Sequence, residues 1–284
     1  MAIVIDGKKI AEEIRAGLKK EILELKNAGI NPALHIILVG KNPASKIYVK
    51  VKEKYCKEVG IVFELEELDE TVKEEELIGR ILAINSDKKI TGIIVQLPLP
   101  EHINKNNVLE VVDPKKDVDG LTPYNLGNLA LGDETFSAAT SKGIVRLLEK
   151  SAIELKGKHI VIINRSLNVG KPLIQLLLNR DATVTVCHSK TKNLKEFTKS
   201  ADVIVCAVGK PDFLKKDMVK NGSIVIDVGL TYIDGKGVGD VDFNSVKEKA
   251  SMITPVPGGV GPMTVAMVLE NTVIAAKKQA GLNP

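Results

Sequence analysis

Aromatic residues supply only 3% of this 284-residue chain, and the formal net charge is +4. So few stacking surfaces and so mild a positive balance exclude a nucleic-acid partner as the main business of the protein. No stretch approaches the roughly 20 consecutive apolar residues that a membrane span needs, so no membrane partner is expected. The N-terminus, Met-Ala-Ile-Val-Ile-Asp, lacks the charged region and apolar core of a signal peptide. Cys56, Cys187 and Cys206 are odd in number and far apart, and make neither a disulfide frame nor a zinc pattern. That usage fits a reducing, cytoplasmic setting. The four histidines are equally scattered and argue for no metal site. What is present is an apolar content ordinary for a globular protein, over a length that suits two domains.

The stretch from Lys158 to Leu178 organises the second half. Ile160–Ile163 is a short β-branched run suited to a parallel strand buried on both faces. Asn164–Ser166 are turn residues, and the apolar spacing after Gly170 predicts a helix with Pro172 in its first turn. A turn of this kind aims the free N–H groups of the next helix at a bound phosphate. The small or turn-prone positions Asn164, Ser166 and Gly170 follow the dinucleotide fingerprint only loosely, and a plain βα unit is the alternative. Further strands are expected at Ala182–Cys187, Asp202–Val208 and Ser223–Val228, separated by polar helical segments. This alternation predicts a doubly wound parallel sheet. The end of the second strand reads Cys187-His188-Ser189-Lys190-Thr191 and carries no acid for ribose hydroxyls. Arg165, Ser189 and Lys190 would suit a 2′-phosphate, which favours NADP; otherwise the two cations are ordinary solvated charges.

In the first half, Gly7–Ala28 reads as an amphipathic helix, with strands at Ala33–Val39, Val62–Leu68 and Gly92–Gln96. Between the first two strands, Lys46, Lys50, Glu53, Lys54 and Lys57 fall on one solvated helix face. Lys52 lies on the other side, with Ser45, Tyr48, Cys56 and Val59. It either snorkels to water or has a pKa lowered by burial, which would let it exchange protons near neutrality. Gln96 stands at the carboxyl end of its strand, before Leu97-Pro98-Leu99-Pro100, where ligands of open α/β sheets gather. The acidic segment Asp113–Leu121 reads as a surface turn or a cation site. Its spacing does not match an EF-hand. Near the end, Pro255–Thr264 holds paired glycines between prolines, a rigid loop with exposed backbone or a structural hinge.

Five segments together resemble the bifunctional methylenetetrahydrofolate dehydrogenase/methenyltetrahydrofolate cyclohydrolase family. They are Tyr48-x-x-x-Lys52, Val95–Pro100, Lys116–Gly120, Arg165-Ser166-x-x-Val169-Gly170-x-Pro172 and Pro255–Thr264. The resemblance implies an α/β protein of two α/β domains with a cleft between them, the second a Rossmann-type doubly wound parallel sheet. The first is a folate-binding catalytic domain over residues 1–140, joined by the C-terminal helix 262–284; the second, 141–261, binds NADP. It implies a homodimer paired through the cofactor domains. It makes Lys52 the acid/base, Tyr48 the residue that positions the reduced folate, Gln96 the partner that tunes the lysine, and Asp119 the grip on the pterin. Gly258 and Gly259 would line the substrate. Arg165, Ser166 and Ser189 would line the cofactor phosphates, Asn164 and Gly170 would also belong to the cofactor-binding turn, and Leu230 would lie beside the nicotinamide.

Two departures stand out. Asn164 replaces a family glycine, a change expected to survive because Asn tolerates left-handed backbone. Ala138–Gly143 replaces Pro-Cys-Thr-Pro-x-Gly, which is expected to loosen the passage into the second domain. The rival readings are a monofunctional Rossmann dehydrogenase, which would give Lys52 no task, and a non-catalytic folate- or nucleotide-binding protein, which would not need this acid/base set.

Overall fold

In the computed structural model, residues 2–283 are described. The elements run β1 (Ile3–Val4), α1 (Gly7–Asn27), β2 (Ala33–Val39), α2 (Pro43–Val59), β3 (Val62–Leu68), α3 (Glu74–Ser86), β4 (Gly92–Gln96), α4 (Lys105–Glu110) and α5 (Pro123–Ala130). The second half continues with α6 (Ala139–Lys150), β5 (His159–Ile163), α7 (Gly170–Leu178), β6 (Thr183–Cys187), α8 (Leu194–Ser200), β7 (Val203–Cys206) and β8 (Ile224–Asp227). It ends with β9 (Thr231–Ile233), β10 (Lys236–Val238), α9 (Phe243–Val246), β11 (Met252–Ile253) and α10 (Val260–Gln279). Two compact units result, one of residues 13–139 and 265–284, the other of 1–12 and 140–264.

The first unit is built on a three-stranded parallel sheet in the order β3-β2-β4. The central strand β2, Ala-Leu-His-Ile-Ile-Leu-Val, is apolar on both faces except at His35. The edge strand β3 instead alternates and carries Glu64, Glu66 and Glu67, charges that discourage a further strand from adding there. Ile37, Ile93 and Val95 pack with Leu77 and Ile81 of α3 and Val108 of α4. Each fully buried aliphatic side chain of this kind contributes about 2 kcal/mol. Helix α2 starts where the Asn42 side chain accepts the Ser45 N–H at 3.1 Å and Pro43 takes the first turn. It stops at Gly60, whose φ of 95° suits a residue without Cβ.

The second unit holds a six-stranded parallel sheet in the order β1-β11-β8-β7-β5-β6. The chain leaves β5 for β6 on one side and returns to β7 on the other, so the strand order reverses between β5 and β7. That reversal is the ligand-binding switch point of a doubly wound sheet. Residues 1–12, assigned from sequence to the first domain, group here because Ile3 and Val4 pair in parallel with Met252 and Ile253. Residues 138–143, where a looser passage was expected from the missing prolines, run straight into a helix. They enter α6, where Ser141 is fully buried and donates its hydroxyl to the Val169 carbonyl at 2.8 Å. The glycine-rich 234–242 segment is also more ordered than a turn, because Lys236–Val238 pair with Thr231–Ile233 as an antiparallel hairpin.

Candidate active site

Helix α2 buries Ser45, Val49, Lys52, Cys56 and Val59 on one face, so Lys52 does not snorkel; it is 5% exposed. Its ammonium nitrogen Nζ donates to Gln96 Oε1 at 2.9 Å. Gln96 Nε2 donates to the Leu97 carbonyl at 3.0 Å, which fixes the carboxamide with its oxygen toward the lysine. Ser45 Oγ donates to that same carbonyl at 3.3 Å. Tyr48 is half-buried on the same side of the helix. Burial pulls the Lys52 pKa below the ordinary lysine value, against the smaller opposing pull of Asp119 and then Cys56. The Asp119 carboxyl is pushed up by its own burial, with Lys52 resisting and Asp117 adding to the rise. Burial thus disfavours the charged form of both groups, and each opposes that shift in the other. Cys56 has its thiol pushed up to about 12 by burial, so it packs and does not react.

Asp117 is the residue the sequence reading missed. The Asp113–Leu121 segment is neither a surface turn nor a cation site, for Asp117 is 3% exposed and fully occupied. It accepts the N–H groups of Gly120, Leu121 and Thr122 and the amide of Asn125, at 2.8–3.2 Å. These bonds close the turn that presents Asp119. Gly120 has φ +71°, and a Cβ there would stand 2.5 Å from the Ser137 carbonyl carbon, so only glycine fits. Asn271 of α10 adds a bond to the Val118 carbonyl at 2.9 Å. An Asp followed by Gly three residues on is a legible turn signal. Asn271, about 150 positions away, gave none.

A cavity of about 630 Å³ opens at the carboxyl ends of β2, β3 and β4, lined by Gly40, Asn42, Glu70, Pro98, Leu99 and His102. Lys52 and Asp119 do not line it; Pro98 and Leu99, which follow Gln96 in the chain, do.

In the other unit, β5 and β6 pair with Ile163 opposite Cys187, so Asn164–Ser166 and His188–Lys190 leave neighbouring strands at the same end. Arg165, Ser166, Ser189 and Lys190 are exposed there. Gly170 must be glycine, since a Cβ would meet the Asn164 carbonyl oxygen at 2.4 Å. The turn is formed, but not by the means expected. Asn164 does not take a positive φ. The first N–H groups of α7 are not free either: Gly170 donates to Asn164 Oδ1, Lys171 to the Ser166 carbonyl and Leu173 to the Val169 carbonyl, while Pro172 has none. Leu230 follows β8, packed where a Cβ on Gly237 would meet it at 2.8 Å. Gly258 and Gly259 lie in this unit, between β11 and α10, with the Gly258 carbonyl accepting the Lys8 N–H at 2.9 Å.

The catalytic-domain profile of the tetrahydrofolate dehydrogenase/cyclohydrolase family matches residues 5–119, and its NAD(P)-binding-domain profile matches residues 138–280. The chain belongs to this family. A bifunctional protein FolD of Thermodesulfovibrio yellowstonii is 52% identical over 279 residues, 98% of each chain. The crystal structure of the bifunctional FolD enzyme of Campylobacter jejuni is 49% identical with a TM-score of 0.96, covering 98% of this chain and 99% of that one. The Trypanosoma brucei enzyme, solved with an NADP cofactor and inhibitor, is 37% identical with a TM-score of 0.94, covering 98% of both.

Proposed function

We infer that the protein oxidises 5,10-methylenetetrahydrofolate to the 5,10-methenyl form with NADP, and hydrolyses that product to 10-formyltetrahydrofolate. The observation that carries the reading is the buried Lys52 bonded to the neutral Gln96 carboxamide. Hydrolysis of the methenyl cation needs a base for the attacking water and an acid for the departing ring nitrogen. A lysine near 10.4 would stay protonated at neutral pH and serve only as the acid. Burial lowers Lys52 toward the working range, Gln96 holds the amine without adding charge, and a cationic substrate beside it pushes the same way. Neutral Lys52 takes the proton from water as oxygen bonds to the methenyl carbon. The ammonium then returns a proton as the carbon–nitrogen bond breaks, and one proton leaves overall. Asp119 grips the pterin and Tyr48 positions the folate against the lysine.

The dehydrogenase step asks less of side chains. NADP, when bound, supplies the hydride acceptor. The bridging methylene is flanked by two nitrogens that stabilise the resulting cation, so alignment carries much of the rate. The donor set fits a 2′-phosphate, because Arg165, Ser189 and Lys190 gather without an acid at the ends of β5 and β6. On the family likeness the protein works in the cytoplasm as a homodimer paired through its cofactor units, which a sedimentation mass would check. Replacing Lys52 by Met tests the central role. The folded variant is expected to lose hydrolysis of the methenyl substrate and keep NADP-dependent oxidation; wild-type hydrolysis in that variant would sink the assignment.

A further inference from the structure

Asn164 sits at the carboxyl end of β5, one side of the switch point, and Ala207 at the end of β7, the other side. The Asn164 carboxamide uses both ends. Its Oδ1 accepts the N–H groups of Ser166 at 2.7 Å and Gly170 at 3.0 Å, and its Nδ2 donates to the Ala207 carbonyl at 2.6 Å. The orientation is unambiguous, since a flipped amide would set its NH2 against two N–H donors. One side chain thus closes the β5–α7 turn and ties it to the β7 loop.

That loop is held from its other end by Asp240, a fully buried carboxylate that accepts the N–H groups of Val208, Gly209 and Lys210. Asp240 is itself anchored, its N–H donating to Asp227 Oδ1 at 2.9 Å, where Asp227 also accepts Gly229 and Val241. Flanking the switch point, the Ser166 and Gly170 N–H groups are therefore spent on Asn164, and those of Val208, Gly209 and Lys210 on Asp240. A glycine at 164 would make none of the three carboxamide bonds and would leave the turn to be closed by whatever binds there.

Resting on the NADP reading above, we propose that Asn164 is a positioning residue of the cofactor site. Its carboxamide pre-forms the turn and the β7 loop, and the cofactor phosphates are met by the side chains of Arg165, Ser189 and Lys190 instead of by the N–H groups that begin α7. Binding through exposed cations also implies that NADP affinity falls as salt rises.

The test titrates NADPH into the full-length protein at low and high salt, for the wild type, Asn164→Gly and Asn164→Ser. Loss of the pre-formed turn is expected to raise the NADPH Kd about tenfold in Asn164→Gly, the worth of roughly one net hydrogen bond. Asn164→Ser, which keeps a hydroxyl, should rise less. In both, the dehydrogenase change should sit in the KM for NADP, with kcat and methenyl hydrolysis within about twofold of wild type. Equal or tighter NADPH binding by the glycine variant would overturn the proposal, because it would mean the freed N–H groups take the phosphate. A parallel fall in hydrolysis would overturn it too, marking Asn164 as a folding residue only. Should the glycine variant fail to fold, the serine variant decides by the same criteria. A wild-type protein that hydrolyses methenyltetrahydrofolate but binds no NADPH would instead defeat the cofactor reading on which the proposal stands.

Discussion

Replacing Gln96 by Glu changes one atom group at the centre of the proposed hydrolase site and reverses its electrostatics. A carboxylate would then lie 2.9 Å from Lys52 Nζ in place of a neutral carbonyl. At an effective dielectric near 20, opposite charges at that separation attract by about 6 kcal/mol. Burying the new carboxylate takes back a large part, and about 3 kcal/mol remains to favour the ammonium form. That is roughly two pKa units upward for the lysine. The sign follows directly: the base must be neutral, so the pH–rate profile should move upward and hydrolysis near neutral pH should drop about 100-fold. The assay follows loss of methenyl absorbance across a pH series, with the spontaneous rate subtracted, and NADPH formation from the methylene substrate in parallel. The oxidation step uses no proton from Lys52, so methenyl folate should accumulate. An unchanged hydrolysis profile in a folded Gln96→Glu protein would refute the claim that a neutral lysine does the work.

The remaining expectations concern the surroundings of the same groups. Asp119→Asn removes the charge that holds the Lys52 pKa up, so the acid limb of the hydrolysis profile should shift to lower pH while the folate KM rises. Ser189→Asp should weaken NADP far more than NAD, through repulsion of the 2′-phosphate; equal weakening of both would misplace that phosphate. Gly120→Ala forces a Cβ against the Ser137 backbone at a left-handed φ and should cost about 3 kcal/mol in a denaturant titration, with hydrolysis falling as Asp119 loses its placement.

Much of the fold was legible because it follows from local chemistry. β2, β3 and β4 begin and end where the sequence predicts, since apolar or alternating runs are bounded by turn residues such as Pro32, Gly40, Gly60, Asp69 and Pro98. Helix α2 was readable from its wheel, and so was the placing of Lys52 opposite the solvated lysines. The absence of an acid after β6 was equally plain. Other elements were not legible. β1 is two residues long and exists only because β11 accepts it. Lys236–Val238 looked like turn residues until the hairpin paired them.

Local pattern along the chain sets which residue types reach the carboxyl ends of the strands, because periodicity and turn residues act over a few positions. What those residues do there depends on the folded chain around them. Whether Lys52 snorkels or is buried against Gln96 depends on a strand 44 positions away. Whether Asp117 binds a cation or its own backbone depends on how its turn closes, and whether α7 offers free N–H groups depends on the Asn164 side chain. Desolvation and hydrogen-bond satisfaction are set by everything that surrounds a group in space, and neighbours along the chain are only a small part of that surrounding.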